Sequence, residues 1–261
     1  MTSESLEPAS VRGAAKGMRA VILAGGKGVR LQPFTIVFPK PLVPLGDRPI
    51  IETLIERLIG FGITDITLTL GHLAELIKAY FQQRPLLTAR AWLRYVEELE
   101  PTGTAGSLAS VEGLDETFLV MNGDLLTDLD FDALVAFHRR HGAALTIAAH
   151  RRLVKIDLGV MECSNDYRVI GYNEKPELSY DVSMGIYVYE PKVLKLIPPG
   201  SYLDFPDLVL KLLASGEKVC AMSCDCLWLD IGRPDDYARA QEIHSKGGEG
   251  LNLDRLAHST E

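Results

Sequence analysis

Short apolar runs alternate with segments of helical periodicity in the first part of the chain, and this alternation most constrains the fold. The apolar runs have the length of buried strands, whereas the segments between them repeat apolar residues every three or four positions. Strands are predicted at residues 19–24, 65–70, 91–96, 117–122 and 144–149. Helices are predicted at residues 50–61, 72–81, 104–111 and 131–141. Strands joined by helices form parallel βαβ units, so the sequence predicts a Rossmann-like three-layer α/β sandwich with a mainly parallel mixed sheet.

The pattern changes after about residue 151, where short strands follow one another without helices. Strands at residues 159–163, 169–173 and 182–189 predict a smaller β-rich part that covers a second ligand. Helices at residues 191–196 and 206–213, a strand at 227–230 and a helix from Pro234 complete the predicted elements. We therefore predict one domain over residues 18–244, between a flexible extension at 1–17 and a flexible tail at 245–261.

The composition excludes several classes of protein. Hydrophobic residues make up 47% of the 261 residues, enough for one sizeable core. The net charge of -8 does not suggest a nucleic-acid-binding surface, and no apolar run approaches the about 20 residues that span a membrane. The first 17 residues lack the apolar segment of a signal peptide, so we expect a cytoplasmic protein. Cys220, Cys224 and Cys226 lack common zinc-site spacing and are better explained as small apolar residues in or near a buried strand.

Three glycines follow the first predicted strand, in the sequence LAGGKGVRLQPFT. Gly25, Gly26 and Gly28 let backbone N–H groups approach phosphate oxygens closely, because glycine has no side chain. The loop lacks the Gly-Lys-Ser/Thr ending of a P-loop, and Leu31 stands where a dinucleotide-binding motif has its third glycine. The glycines alone are equally compatible with a plain turn between a strand and a helix.

Two cations close to the glycine loop favour phosphate binding over a plain turn. Arg30 comes two residues after the last glycine, and Lys40 lies in the segment FPKPLVPLG. The prolines of this region stiffen it because each fixes φ, so Lys40 is held at low entropic cost. Basic residues clustered in an acidic protein predict a cradle for a triphosphate.

The run LAGGKGVRLQPFT followed by PKPLVPLGDRPII resembles the opening signature of sugar-phosphate nucleotidylyltransferases. The resemblance extends from Met18 to about Ile243. The chain departs from the family pattern at Val29, where a threonine is usual, so no role is carried over for that position. The resemblance implies an enzyme that joins the nucleoside monophosphate of an NTP to a sugar 1-phosphate. Pyrophosphate would leave in line, without a covalent protein intermediate.

Two aspartates follow predicted strands inside matching motifs, Asp124 in VMNGD and Asp230 in CLWLDIGRP. Either aspartate alone is explained as a cap or turn residue. Carboxylate oxygens suit Mg²⁺, and the resemblance implies that the pair holds this ion. It also implies catalytic roles for three cations. Arg30 would stabilise charge on the leaving side, while Lys40 and Lys175 would hold the two phosphates.

The resemblance places the sugar phosphate against the β-rich part. In YNEKP, Lys175 would meet the phosphate and Glu174 a sugar hydroxyl, although a surface ion pair before a proline is the plain alternative. Gly159 matches the glycine that lets the sugar approach the backbone, and a strand bulge explains it as well. Gly123 and Gly185 complete the implied sugar-phosphate site.

The implied nucleotide site combines the glycine loop with the segment EELEPTGTAGSL. Its residues are Leu23, Ala24, Gly25, Gly26, Gly28, Glu98, Gly103, Thr104 and Asn122. Gly103 and Gly106 would let backbone groups face the base, and Glu98 would accept hydrogen bonds from it. Guanine offers a carboxylate two adjacent donors where uracil and thymine offer one, so Glu98 favours GTP. The segment also resembles mannose-1-phosphate and heptose-1-phosphate guanylyltransferases. Uridylyl or thymidylyl transfer, and a solvated acidic turn, stay open.

The expected partners are an NTP and a sugar 1-phosphate, with neither nucleic acid nor membrane, and a homodimer stays open. No residue pattern distinguishes the sugars. A catalytically inactive nucleotide-sugar-binding regulatory protein is the alternative of another class. It predicts loss of metal or cationic positions, yet these positions are all present: Arg30, Lys40, Asp124, Lys175 and Asp230. A dinucleotide-binding oxidoreductase is disfavoured because the second strand ends at Leu70 and not at an acidic residue.

Overall fold

A computed structural model of the chain describes residues 11–245. Its strands are β1 (Arg19–Ala24), β2 (Pro44–Leu45), β3 (Arg48–Pro49), β4 (Asp65–Leu70), β5 (Trp92–Glu97), β6 (Phe118–Asn122), β7 (Leu125–Thr127), β8 (Leu145–Lys155), β9 (Val160–Cys163), β10 (Val169–Asn173), β11 (Glu177–Tyr189), β12 (Val219–Cys224) and β13 (Trp228–Asp230). Its α-helices are α1 (Ile50–Gly60), α2 (Ala74–Gln82), α3 (Pro85–Thr88), α4 (Gly103–Gly106), α5 (Phe131–His141), α6 (Phe205–Ala214) and α7 (Pro234–Ser245). The bounds of β1, β4, β10 and α5 are those predicted from the sequence.

The central sheet has seven strands in the order β12-β8-β11-β6-β1-β4-β5. β1 lies parallel to both β4 and β6, and β5 lies parallel to β4. β11 runs antiparallel to its neighbours β6 and β8, and β12 runs parallel to β8. The mainly parallel mixed sheet predicted from the alternation of strands and helices is confirmed.

β1 shows why helices cover both faces of this sheet. Ala20 and Ile22 pack in a core that includes Leu54 of α1. Val21 packs in a second core, which includes Leu208 of α6. Successive residues of a strand point to opposite faces, so an apolar strand such as β1 is buried only between two helical layers. The predicted three layers follow. None of the helices in the described part of the chain is both long and apolar enough to cross a bilayer.

The β-rich part is a ribbon that leaves the central sheet. β8 and β11 pair from Leu145 opposite Tyr189 to Lys155 opposite Glu177, well beyond the strands predicted at 144–149 and 182–189. β9 and β10, which lie between them in the chain, form an antiparallel hairpin. The side chains of residues 151–155 and 177–181 are exposed, so no buried apolar pattern marks this part of either strand.

β12 was not among the predicted elements, because its side chains are only half-buried or exposed at the edge of the sheet. Cys220 and Cys224 lie on this strand, although the sequence favoured a place in or near a buried one. Cys224 forms a disulfide with Cys226, and Cys220 is free. No cluster of three or more His, Cys, Asp or Glu side chains suited to a metal occurs within residues 11–245.

Residues 11–17 depart from the predicted flexible extension. They form turns in which Val11 and Ala15 are buried. The amides of Gly13 and Ala15 each donate to a carboxylate oxygen of Asp132 at 2.8 Å. The packed domain therefore begins earlier than the predicted residue 18. The rest of the extension, and the predicted tail after residue 245, lie outside the described residues.

His138 of α5 is buried at the end of the sheet that lies away from the glycine loop. Its Nδ1 lies 2.8 Å from the hydroxyl of Thr146, and its Nε2 lies 3.0 Å from a carboxylate oxygen of Glu190. Burial lowers the pKa of His138 below its ordinary value of 6.5, and the hydrogen bond to Glu190 opposes this shift less strongly. The unfolded chain therefore binds this proton more readily than the folded one. The stability that neutral His138 contributes is fully present above the pKa that this residue has in the unfolded chain. It is lost as the pH falls through the lower pKa that His138 has in the folded protein.

We expect His138 to contribute to a loss of stability between about pH 7.5 and about pH 5.5. Urea unfolding at both values would give the change in the free energy of unfolding. His138→Gln should show a smaller change than the parent protein, because glutamine does not titrate. His141→Gln, on the last turn of the same helix, is the matched control and should behave as the parent. Equal changes in all three proteins would contradict the assignment.

Candidate functional site

The carboxyl ends of β1, β4 and β6 meet at one edge of the sheet, where the loops that follow them line a cavity of about 830 Å³. This is the edge at which open α/β sheets bind ligands, and the volume suits a nucleotide. Most residues of the predicted nucleotide site lie on its wall. The predicted site residues found there are Leu23, Ala24, Gly25, Gly26, Lys40, Glu98, Gly103, Thr104, Asn122, Gly123 and Asp124.

The glycine loop packs closely against its neighbours. The hydroxyl of Thr35 donates to the carbonyl oxygen of Gly28 at 2.7 Å. Gly28 has φ +61°, and a Cβ there would lie 2.9 Å from Cγ2 of Thr35. A Cβ at Gly25 would lie 3.1 Å from a carboxylate oxygen of Glu98. A Cβ at Gly26 would meet no described atom within 4 Å, so this glycine faces the open space that a ligand could enter.

Lys40 lies between two aspartates at this edge of the sheet. Its ammonium group forms an ion pair with Asp124 and lies 3.9 Å from the nearer carboxylate oxygen of Asp230. The main chain fixes this arrangement, because β7 and β13 pair with Leu125 opposite Asp230. The amide of Ile231 also donates to the carbonyl oxygen of Asp124 at 3.0 Å. The two predicted metal ligands are thus brought together, although more than a hundred residues separate them in the chain.

The two carboxylates carry more negative charge than Lys40 neutralises. Burial raises the pKa of Asp230, and the charge of Asp124 raises it further. Oxygen Oδ1 of Asp124 is buried without a hydrogen-bond partner in the described part of the chain. Such an oxygen costs free energy unless a donor or cation reaches it. Two carboxylates fit Mg²⁺, which proteins commonly bind through one or two carboxylates together with substrate phosphates and water.

Two further cations, Lys27 and Arg30, belong to the segment that follows β1. Arg30 lies beside Asp230 and is not on the cavity wall. Both side chains border Gly232, because a Cβ built there would lie 3.3 Å from a guanidinium nitrogen of Arg30 and 3.3 Å from a carboxylate oxygen of Asp230. The charges of Lys40 and Arg30 both lower the pKa of Asp230, less than burial raises it. Lys27 lies on the cavity wall, and the sequence analysis gave it no role. Its position between Gly26 and Gly28 is the sequence feature from which a role in phosphate binding could have been predicted.

Glu98 directly follows β5 and lies beside Gly25. The hydroxyl of Thr102 donates to Oε1 of Glu98, whereas Oε2 faces the glycine loop. The amide of Glu98 donates to the carbonyl oxygen of Leu70 at 2.8 Å, which fixes the backbone at the end of the sheet. An ionised carboxylate is only an acceptor, so Glu98 is placed to receive donors at this part of the cavity wall.

Gly103 and Gly106 make close contacts within the protein, and their predicted role beside the base stays a prediction. A Cβ at Gly103 would lie 2.5 Å from the carbonyl oxygen of Leu203, and one at Gly106 would lie 2.8 Å from that of Ser201. The amides of Ala105 and Gly106 donate to the carbonyl oxygen of Leu203 at 3.0 and 2.9 Å. These glycines therefore seat residues 201–204 against the loop, and these two amides are not free to face a base.

Thr104 lies on the cavity wall, but its hydroxyl already forms hydrogen bonds within the protein. The hydroxyl donates to Oδ1 of Asp204 at 3.3 Å and accepts from the amide of Phe205 at 2.8 Å. The amide of Thr104 donates to the same carboxylate oxygen at 3.1 Å. Thr104 thus fastens the start of α6 to the loop, and its predicted contact with the nucleotide stays a prediction.

Two of the predicted sugar-phosphate residues lie near the end of β6. Gly123 is on the cavity wall, and its amide donates to the carbonyl oxygen of Leu23 at 2.9 Å. Gly185 has φ +74°, and a Cβ there would lie 2.5 Å from the side-chain nitrogen of Asn122. Gly185 therefore makes room for a residue of the cavity wall.

Three other sugar-side residues, Gly159, Glu174 and Lys175, lie at the β9–β10 hairpin and outside the cavity wall. The hydroxyl of Tyr172 donates to Glu174 at 3.1 Å and would lie 1.9 Å from a Cβ at Gly159. Gly159 thus makes room for Tyr172, and its predicted contact with the sugar stays a prediction. Lys175 is exposed and has φ +49°.

A family model described as nucleotidyl transferase matches residues 19–247 of the chain. The chain is 35% identical over 242 residues to the UTP–glucose-1-phosphate uridylyltransferase of Synechocystis sp., with 85% of this chain and 62% of that protein covered. It is 34% identical over 228 residues to the mannose-1-phosphate guanylyltransferase catalytic subunit beta of Drosophila pseudoobscura pseudoobscura, with 85% and 61% covered. The chain spans about three fifths of the length of these two relatives.

A solved structure of HddC from Yersinia pseudotuberculosis, complexed with GMP-PN, is similar to this chain with a TM-score of 0.65. The two sequences are 26% identical, and the match covers 87% of this chain and 99% of that one.

We expect Gly103→Ala to destabilise the protein more than Gly142→Ala. Both glycines have positive φ, +82° and +56°, so each substitution adds backbone strain of about 1–2 kcal/mol. A Cβ at Gly142 meets no described atom within 4 Å, whereas one at Gly103 overlaps the carbonyl oxygen of Leu203. Overpacking of this kind adds about 1–3 kcal/mol, which urea unfolding measures. Equal losses in the two variants would contradict the seating role of Gly103.

Proposed function

Because this chain belongs to the nucleotidyl transferase family, we propose that it transfers a nucleoside monophosphate from an NTP to a sugar 1-phosphate and releases pyrophosphate. The observation that carries the proposal is Lys40 between Asp124 and Asp230, at the edge of a cavity formed by a glycine loop. Both substrates are anions, so their mutual repulsion is the main obstacle to reaction. Fixed cations, and a metal ion held by a pair of carboxylates, would offset that repulsion.

Each residue of the site has a role in this proposal. Asp124 and Asp230 would hold Mg²⁺, which when bound would neutralise charge on the nucleotide phosphates. Lys40 would hold a phosphate of the NTP, and Lys27 would contact the triphosphate from the glycine loop. Arg30 would stabilise the charge that develops on the departing pyrophosphate.

The sugar phosphate would lie towards the β-rich part. Lys175 would hold its phosphate and Glu174 would accept a hydrogen bond from a sugar hydroxyl, as the family resemblance implies. Both residues lie on the hairpin outside the cavity wall, so the sugar phosphate would bridge the space between hairpin and cavity. The sugar proposed is of the mannose or heptose type, and it rests only on the resemblance of the segment EPTGTAG to mannose-1-phosphate and heptose-1-phosphate guanylyltransferases.

For the base we propose guanine. Glu98 has one carboxylate oxygen facing the glycine loop and another that it shares with the hydroxyl of Thr102, so both oxygens can accept from a base. Similarity to a mannose-1-phosphate guanylyltransferase and to HddC complexed with GMP-PN supports this choice. Similarity to a uridylyltransferase supports UTP as the second candidate. A cytoplasmic location and a homodimer stay predictions.

We expect pyrophosphate release only when an NTP, a sugar 1-phosphate and Mg²⁺ are present together. A coupled pyrophosphate assay over GTP, UTP, dTTP and ATP, each with mannose, glucose and heptose 1-phosphates, would measure this. GTP should give the highest kcat/KM because Glu98 accepts from both guanine donors. Turnover with UTP or dTTP alone would overturn the choice of guanine. No turnover with any pair would favour the inactive regulatory protein.

Asp124→Asn should lower kcat by about a hundredfold or more, because a neutral amide neither attracts a metal ion nor pairs with Lys40. Asp115→Asn, an exposed aspartate away from the cavity, is the matched control and should keep full activity. Circular dichroism would show whether both variants keep the fold. Full activity of a folded Asp124→Asn protein would contradict the proposed metal site.

A further inference from the structure

The nucleotide cavity has a wall that the sequence did not assign to the nucleotide. Tyr202 and Asp204 line it, from the segment that leads into α6. Among the described residues of the wall, Tyr202 is the one phenylalanine, tyrosine or tryptophan, and the residue is 65% exposed. An exposed aromatic ring on the wall of a ligand cavity offers a planar apolar surface to whatever the cavity binds.

The protein holds this tyrosine in place through its hydroxyl. The hydroxyl donates to Oδ2 of Asp204 at 2.7 Å. Oδ1 of Asp204 accepts from the amide of Thr104 at 3.1 Å, and the amide of Leu203 donates to the carbonyl oxygen of Thr102 at 2.8 Å. Because its hydroxyl is engaged, what Tyr202 leaves for a ligand is its exposed ring.

The position of Tyr202 along the cavity follows from the glycine loop. At one end of the loop, Gly28 packs against the side chain of Lys40. At the other end, Gly25 packs against Glu98, which is hydrogen-bonded to Thr102. In the proposed function, the phosphates of the NTP would lie at the end of the loop near Lys40. The base would lie at the end near the carboxylate of Glu98. The contacts of residues 202–204 with residues 102–104 attach the tyrosine to the base end.

We propose that the ring of Tyr202 packs against the face of the nucleobase, with Asp204 as the positioning residue that holds the ring. This inference rests on the proposed function, because it adds a contact to the same nucleotide site. Stacking depends little on which base is present, since every base has an aromatic face. Tyr202 therefore supplies affinity for any NTP, while Glu98 distinguishes between bases.

The test is calorimetric titration of the full chain with GTP, with UTP and with inorganic tripolyphosphate, each with Mg²⁺. Tyr202→Ala should raise the Kd for both nucleotides by a similar factor, about tenfold, because one aromatic contact with a base is lost. The Kd for tripolyphosphate should not change, because this probe has no base. Tyr180→Ala, an exposed tyrosine outside the cavity, is the matched control and should bind all three probes as the parent does.

Tyr202→Phe keeps the ring but loses its bond to Asp204, so its Kd for GTP should lie between those of the parent and Tyr202→Ala. Parent affinity for GTP in a folded Tyr202→Ala protein would overturn the inference, and so would an equal loss of affinity for tripolyphosphate. Tyr202→Leu, which keeps apolar bulk, provides the same test if the alanine variant does not fold. A parent protein that binds no NTP would reject the proposed function itself, which is a different result from an unaltered variant.

Discussion

The site depends on two like charges that the main chain forces together. Asp124 and Asp230 do not attract each other, and the pairing of β7 with β13 sets their separation. Lys40 relieves part of the repulsion, yet Oδ1 of Asp124 stays buried without a hydrogen-bond partner in the described residues. Such an arrangement costs free energy that a bound divalent cation would recover. The fold has in effect prepared the charge distribution before any substrate arrives.

Most of the glycines around the cavity are explained by contacts within the protein. Gly28 packs against Thr35, Gly103 packs against Leu203, and Gly185 makes room for Asn122. In each case a Cβ would overlap an atom of another segment. The cavity therefore owes its shape to segments of the chain that approach each other closely. At these three positions the absence of a side chain lets neighbouring segments pack closely.

The sequence predicted best those elements whose local signals and packing agree. β1 is apolar on both faces. α5 is capped at its start by Asp130, whose side chain accepts from the amide of Ala133, and at its end by Gly142. The outer halves of β8 and β11 could not be predicted in this way, because their side chains are exposed and only the pairing of the two strands defines them. The chemistry of the site was predicted from motifs, including the meeting of two distant aspartates.

The residues that the sequence missed differ in kind. Lys27 lies inside a motif that was already recognised, so its omission was one of interpretation. Tyr202 lies in a segment without a motif, and only the three-dimensional packing of that segment against the loop at 102–106 reveals it. The packing of Gly103 against Leu203 could not be predicted for the same reason, because a sequence does not show which distant carbonyl oxygen will occupy the space beside a glycine.

The choice of base depends on how the oxygens of Glu98 are shared. A base with a single N–H donor needs only Oε2, whereas the two adjacent donors of guanine need both oxygens. Oε1 already accepts from the hydroxyl of Thr102. A carboxylate oxygen has two lone-pair positions, so Thr102 and guanine can be accommodated together while the hydroxyl orients the carboxylate. Thr102 therefore acts without contacting the base. Its hydrogen bond orients the carboxylate of Glu98, and this orientation sets whether the carboxylate can accept from one donor of the base or from two.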